Sequence, residues 1–179
     1  MAMPGSLGVK TIYKKAQTTF VKFNTNDPFA ILQQMDVGVK EKTMTNLCGY
    51  SVVFYSIPTV VINASLDEDS KRIVAAHELG HIILHRDILS EGILFDHDMN
   101  SCRDRQEYEA NLFAADLLIS DEDILDNIDT HPDLYSLAGY LEQKLYLLNF
   151  KITSMQKRGY NIRPPLPQSS PLEECIIYD

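Results

Sequence analysis

Residues 65–85 read SLDEDSKRIVAAHELGHIILH, and the reading of this stretch decides the fold. Ser65-Leu66-Asp67-Glu68 has the S-x-x-E form of a capping box, and Asp67, Glu68 and Asp69 suit the positive end of a helix dipole. A helix is therefore expected over about 66–86. Ile73, Val74, Ala75, Ala76, Ile82, Ile83 and Leu84 make it mostly apolar and hence buried. Within it lies Ala76-His77-Glu78-Leu79-Gly80-His81, an HExxH pattern. On a helix, His77 and His81 project from one face about 6 Å apart along the axis. Two imidazoles so placed can bind one Zn²⁺ at about 2.0–2.1 Å. Glu78 stands beside the pair, placed to take a proton from water at the metal. The bland alternative is a surface helix with incidental histidines. Histidines and a glutamate in a buried helix need partners, and a metal supplies them.

His85 is again four residues on. His77 and His85 lie about 12 Å apart along the axis, so the three histidines cannot share one ion. An 81/85 pairing would put Ile82 where the base must be, so the 77/81 pair is preferred. His85 reads as a structural histidine favoured by the helix C-terminus. A catalytic zinc also needs a third protein ligand and an open position. The metzincin pattern HExxHxxGxxH is excluded, because the chain continues Ile83-Leu84-His85-Arg86-Asp87. Further along, 104–119 (DRQEYEANLFAADLLI) is strongly helical in propensity and offers Glu107, Glu109 and Asp116. Glu107 is favoured over Glu109. Asn111 lies one turn beyond Glu107 and can accept the N–H of His77 or His81. Glu109 is rotated roughly 200° from Glu107 and is expected to face solvent.

Working outward, 9–23 and 27–35 read as short helices, the second with Asp27 as N-cap and Pro28 at the first helical position. Residues 50–56 (YSVVFYS) and 59–63 (TVVIN) read as two strands flanking Pro58. If 59–63 is an edge strand, a substrate could add to it by main-chain hydrogen bonds. Residues 87–103 lack periodicity and read as a loop. Short helices are expected at about 121–128, 133–143 and 146–158. The fold class is thus α+β: a mostly helical, zincin-like metallopeptidase domain. A small two- or three-stranded sheet packs on the HExxH helix, and a helical bundle follows. The expected boundaries are one domain over 1–160, with a catalytic core at 9–119 and a helical extension at 120–160. The four prolines within 161–175 mark 161–179 as an extended or disordered tail.

Composition sets the outer limits. The chain has 179 residues, 45% hydrophobic and 23% charged, so it can bury a core. A net charge of −9 argues against a nucleic-acid-coating protein. The charge is uneven: residues 87–133 hold fourteen acids against two arginines, a local net of −12. Such an acidic surface would favour a basic substrate. Cys48, Cys102 and Cys175 form neither a disulfide framework nor a CxxC pair. No signal peptide or membrane span is evident, so a cytoplasmic protein is expected.

Two segments carry a family resemblance: RIVAAHELGHIILH (72–85) and QEYEANLFAADLL (106–118). Together with the order strand, Asn63, capped helix, they make the chain resemble the ImmA/IrrE-type metallo-endopeptidases, specifically the short, mobile-element type. The resemblance implies a gluzincin-like site holding one Zn²⁺. His77, His81 and Glu107 would be its ligands and Glu78 the general base. It also implies cytosolic cleavage of a helix-turn-helix repressor of a mobile element, phage or stress regulon. The family often has Pro after the Leu-Leu segment, where this chain has Ile119-Ser120. A transition-state donor is also needed, and His97, Tyr108 and Tyr55 are candidates by type. Rival readings are a DNA-binding regulator, from the helix-turn-helix pattern at 136–158 with Lys151, Lys157 and Arg158, and a non-proteolytic anti-repressor with structural zinc. Peptide deformylase is excluded, because Cys48 lacks the required E-G-C context. Neither a direct nucleic-acid partner nor a membrane partner is expected.

Overall fold

The computed structural model describes residues 7–54, 57–85 and 100–162. The elements are α1 (Val9–Phe23), α2 (Pro28–Gln34), β1 (Gly38–Lys42), β2 (Gly49–Phe54), β3 (Ile57–Asn63) and α3 (Glu68–Leu84). They are followed by α4 (Asn100–Leu118), α5 (Asp121–Asn127), α6 (Leu134–Tyr140) and α7 (Leu145–Arg158). This is a mostly helical α+β fold with one small mixed sheet. The expected loop at 87–103 and tail at 161–179 fall largely outside the described residues. Within them, α4 begins four residues earlier than propensity indicated, at Asn100.

The sheet corrects two expectations. It has three strands in the order β1-β3-β2, with β1 parallel and β2 antiparallel to β3. Residues 59–63 are therefore central, and no substrate can add to them. Thr59, Val60, Val61, Ile62 and Asn63 are all buried, in keeping with a strand paired on both edges and packed against α3. The strand that sequence missed is β1, Gly-Val-Lys-Glu-Lys. Its exposed, charged residues suit an edge strand, where lysine discourages further pairing.

The helix that carries the HExxH pattern starts at Glu68, and its N-cap is Asp67 rather than Ser65. The Asp67 carboxylate accepts the Ser70 N–H at 2.7 Å. Ser65 instead donates its N–H to Asn63 Oδ1 at 3.0 Å. Asn63 is a hub: its amide donates to Met44 O and Leu47 O, both at 2.9 Å, and its oxygen also accepts the Met44 N–H at 3.2 Å. All its hydrogen-bonding capacity is thus spent on tying the β1–β2 connection, through Met44 and Leu47, to the turn from β3 into α3. Asp27 caps α2 through the Phe29 N–H, as expected.

α3 lies between the sheet and α4, and α4 in turn packs against α1 and α7. With neighbours on several sides, α4 has almost no polar face: Ala110 and Leu112 through Leu118 are all buried. Asp116 lies in that run and is 1% exposed. Lys151 Nζ donates to its Oδ1 at 3.1 Å and Ser154 Oγ to its Oδ2 at 2.7 Å. Lys151, wholly buried, also pairs with Asp121 at 2.7 Å, and Arg158 grips both Asp121 oxygens at 2.6 Å. The Arg158 guanidinium lies 3.6 Å from the centre of the Tyr13 ring. These charges tie α4, α5 and α7 together inside the protein.

Removing one member of such a network strands its partners in a medium that cannot solvate them. Lys151→Met should therefore cost about 3–5 kcal/mol of unfolding free energy, measured by urea denaturation. A loss within experimental error of zero would show that the network contributes nothing.

Candidate metal centre

On α3, His77 and His81 sit one turn apart with ring centres 4.7 Å apart and planes at 79°. Their Nε2 atoms face each other at 3.0 Å. From α4, Glu107 Oε2 stands 3.0 Å from His77 Nε2, and Oε1 stands 3.3 Å from His81 Nε2. One ligand atom from each of the three lies within 4.8 Å of the others, a grouping able to hold a metal ion. His77 Nδ1–H donates to Asn111 Oδ1 at 3.0 Å. That bond fixes the tautomer and turns the Nε2 lone pair toward His81 and Glu107. Two imidazole lone pairs converging on a carboxylate are a donor set for a dication such as Zn²⁺.

Burial, the largest single influence, would suppress charge on His77, but the Glu107 hydrogen bond, the Glu78 and Glu107 charges and the Asn111 bond together outweigh it and raise its pKa. Burial pushes the Glu107 carboxyl up, yet hydrogen bonds from His77 and His81 hold it well below the usual carboxylate range. Glu78, 6% exposed, is pushed up by burial against the pull of both histidines. Its Oε2 accepts the Ser51 hydroxyl from β2 at 2.5 Å.

Two neighbours differ from expectation. Glu109 does not face solvent: it is 3% exposed and accepts the Leu7 N–H at 3.0 Å. The 200° rotation is right, but the far side of α4 is also covered by protein. His85 does not gain charge from the helix terminus. Burial, then the neighbouring His81, push its pKa down to about 4. Its Nε2 lies 3.7 Å from Glu109 Oε2, beyond hydrogen-bonding range.

Of the candidate transition-state donors, His97 and Tyr55 lie outside the described residues. Tyr108 packs on Phe150 of α7, and its hydroxyl accepts from Lys157 Nζ at 2.7 Å. On α7, the last helix of 136–158, two of the three bases that could have met DNA phosphates are spent inside the protein, Lys151 and Arg158.

Comparison with known proteins agrees with this geometry. Residues 6–152 match the Peptidase M78 family, described as the IrrE N-terminal-like domain. The chain belongs to that family. It is also similar to "Uncharacterized immunity region protein 2" of Bacillus phage phi105, 31% identical over 123 residues, covering 64% of this chain and 72% of the relative. The M78 match takes in both the α3–α4 pair and most of α7, so the family segment includes the helix that anchors α4. Among the described residues, no helix is long and apolar enough to cross a membrane.

Sequence reasoning passed over Gly80 within this M78 motif. A Cβ there would meet the Ala110 Cα and O at 3.2 Å and the Phe113 ring at 3.3 Å. The contacts are mostly backbone, which cannot swing aside. Gly80 thus sets the α3–α4 spacing three residues from Glu107. Gly80→Ala should weaken zinc binding about tenfold in a chelator competition, by shifting Glu107 away from the imidazoles; unchanged affinity would show the spacing to be slack.

His85 gives a pH prediction. Its folded pKa lies below the unfolded value of about 6.5, so the unfolded chain takes up the proton first. The stability it contributes is complete above about pH 6.5 and is lost as pH falls toward about 4. Thermal melts of metal-free protein should show His85→Gln gaining on the wild type across that interval. A constant difference would contradict the assignment.

Proposed function

We propose that this M78-family chain is a cytoplasmic zinc-dependent endopeptidase that cuts a helix-turn-helix repressor of a phage or mobile element, and so acts as an anti-repressor. The observation that carries the reading is the convergence of His77 Nε2, His81 Nε2 and Glu107 within 4.8 Å, with Glu78 beside them. Three neutral or anionic donors from two helices leave a tetrahedral ion one position open, the arrangement of a catalytic rather than a structural zinc. The phage immunity name of the relative supports the choice of substrate. A repressor's basic DNA-binding surface also complements residues 121–143, which hold seven acids and no lysine or arginine.

His77, His81 and Glu107 would hold the zinc. Bound there, the ion supplies Lewis acidity toward the scissile carbonyl and makes a neighbouring water easier to deprotonate. Glu78 takes the proton from the attacking water and delivers it to the departing amine nitrogen. Ser51 occupies Oε2, so Oε1 is the atom available for this transfer. Burial favours the neutral carboxyl, which helps Glu78 take the proton. With Nδ1–H committed to Asn111, Nε2 is the His77 nitrogen left to hold an ion. The substrate's backbone can pair with an edge strand, and β2 is the edge that carries a residue touching Glu78.

Co-expression with a helix-turn-helix repressor encoded beside it tests the reading. The wild type should deplete the repressor and contain stoichiometric zinc. Glu78→Gln should retain the zinc and lose at least about a hundredfold in cleavage rate, the contribution of a general base. Protein purified without metal, or an active Glu78→Gln variant, would overturn the proposal.

A further inference from the structure

The carboxyl head of Glu78 sits at the end of three rotatable bonds, so its position on α3 does not fix the direction of its oxygens. The fixing bond comes from another element. Ser51 Oγ on β2 donates to Glu78 Oε2 at 2.5 Å, 27 residues away in sequence. Among the described groups whose hydrogen bonds to Glu78 are resolved, Ser51 alone supplies a side-chain donor from outside α3. The approach is built in. Gly49, two residues earlier on the same face of β2, lies so close to α3 that a Cβ there would collide with Val74. That Cβ would also stand 3.7 Å from Glu78 Oε1. Glycine at 49 thus lets β2 come near enough for a side chain as short as serine to reach the carboxylate.

We infer that Ser51 is a positioning residue for the reaction at Glu78. It ties down Oε2, presents Oε1 in one orientation to the attacking water, and does not itself touch substrate or metal. A base held in its reacting direction avoids a conformational search at each turnover. The inference rests on the reading of Glu78 as the general base. It adds a second-element requirement that the HExxH pattern does not contain: a hydroxyl on the edge strand that borders the helix.

The test compares Ser51→Ala, Ser51→Thr, Glu78→Gln and Ser51→Ala/Glu78→Gln with wild type. Cleavage of the purified repressor is followed, and zinc affinity is measured by chelator competition. Ser51→Ala should lower kcat about tenfold, the worth of one hydrogen bond to a charged group, and leave KM and zinc affinity within about twofold. Ser51→Thr, which keeps the hydroxyl, should recover most of the lost kcat. Ser51→Ala should add nothing to the Glu78→Gln loss, because Ser51 acts through that carboxylate. A Ser51→Ala variant with wild-type kcat overturns the inference, as does one that loosens zinc or compounds Glu78→Gln. A Ser51→Thr variant as slow as Ser51→Ala overturns it too, since the loss would then follow shape rather than the hydroxyl. An inactive Glu78→Gln with a fully active Ser51→Ala removes only the role of Ser51. An active Glu78→Gln removes the base itself.

Discussion

The structure depends on how closely α3 and α4 can approach. Two imidazole nitrogens on one helix and a carboxylate on the other stand 3.0–3.3 Å apart in the interior. Such a contact tolerates little error, because a shift of an ångström breaks the donor set. The helix pair is accordingly rich in small buried residues. Gly80 lies against the backbone of Ala110, and Ala75, Ala76, Ala114 and Ala115 are all wholly buried. Small side chains bring helix axes together, and the long side chains of Glu107 and Asn111 then reach across to His77. The apolar runs 73–76 of α3 and 112–115 of α4 follow from the same demand, since closely packed segments inside a domain have no face left for water.

The rest of the chain holds these two helices in register. On one side, Asn63 joins the β1–β2 connection to the turn into α3, and Lys71 pairs with Glu41 of β1 at 2.9 Å. Gln17 of α1 donates to the Asp116 carbonyl at 3.4 Å, and α7 grips the Asp116 and Asp121 carboxylates. The helical extension beyond residue 120 is therefore mechanically part of the α4 support. It carries the helix that supplies the third donor, and a buried charge network is a directional way to fix its position.

The local part of this fold was legible in the sequence. His77, His81 and Glu78 declare themselves by spacing, because a helix converts i, i+4 into a shared face whatever surrounds it. The same periodicity put Asn111 one turn beyond Glu107 as an acceptor for His77 or His81, and the structure pairs it with His77. What stayed hidden depends on neighbours that sequence does not name. Glu109 was assigned to water because a helix normally has a wet side, and only the packing of α4 against several elements removes it. Residues 59–63 were read without knowing that 38–42 would flank them, since a charged edge strand has no apolar alternation to betray it. Gly80 and Ser51 were missed for one reason: each acts on a residue of another element, and neither has a pattern of its own.

The clumped negative charge illustrates the same point. The fourteen acids of 87–133 form a block of −12 along the chain, which suggests a uniformly acidic surface. Folding does not keep them together. Glu109, Asp116 and Asp121 are buried, and Glu107 faces the histidine pair. The cations that offset Asp116 and Asp121 come from α7, outside the block, so the opposite charges were separated only in sequence. The Coulomb energy of a linear charge run therefore says little about the folded protein, because pairing at about 3 Å outweighs repulsion between groups a Debye length apart. Among the described residues, the acidic character that survives lies on the exposed residues of α5 and its flanks. There it sets the long-range potential of that face, while the buried members of the same run hold α4 in place.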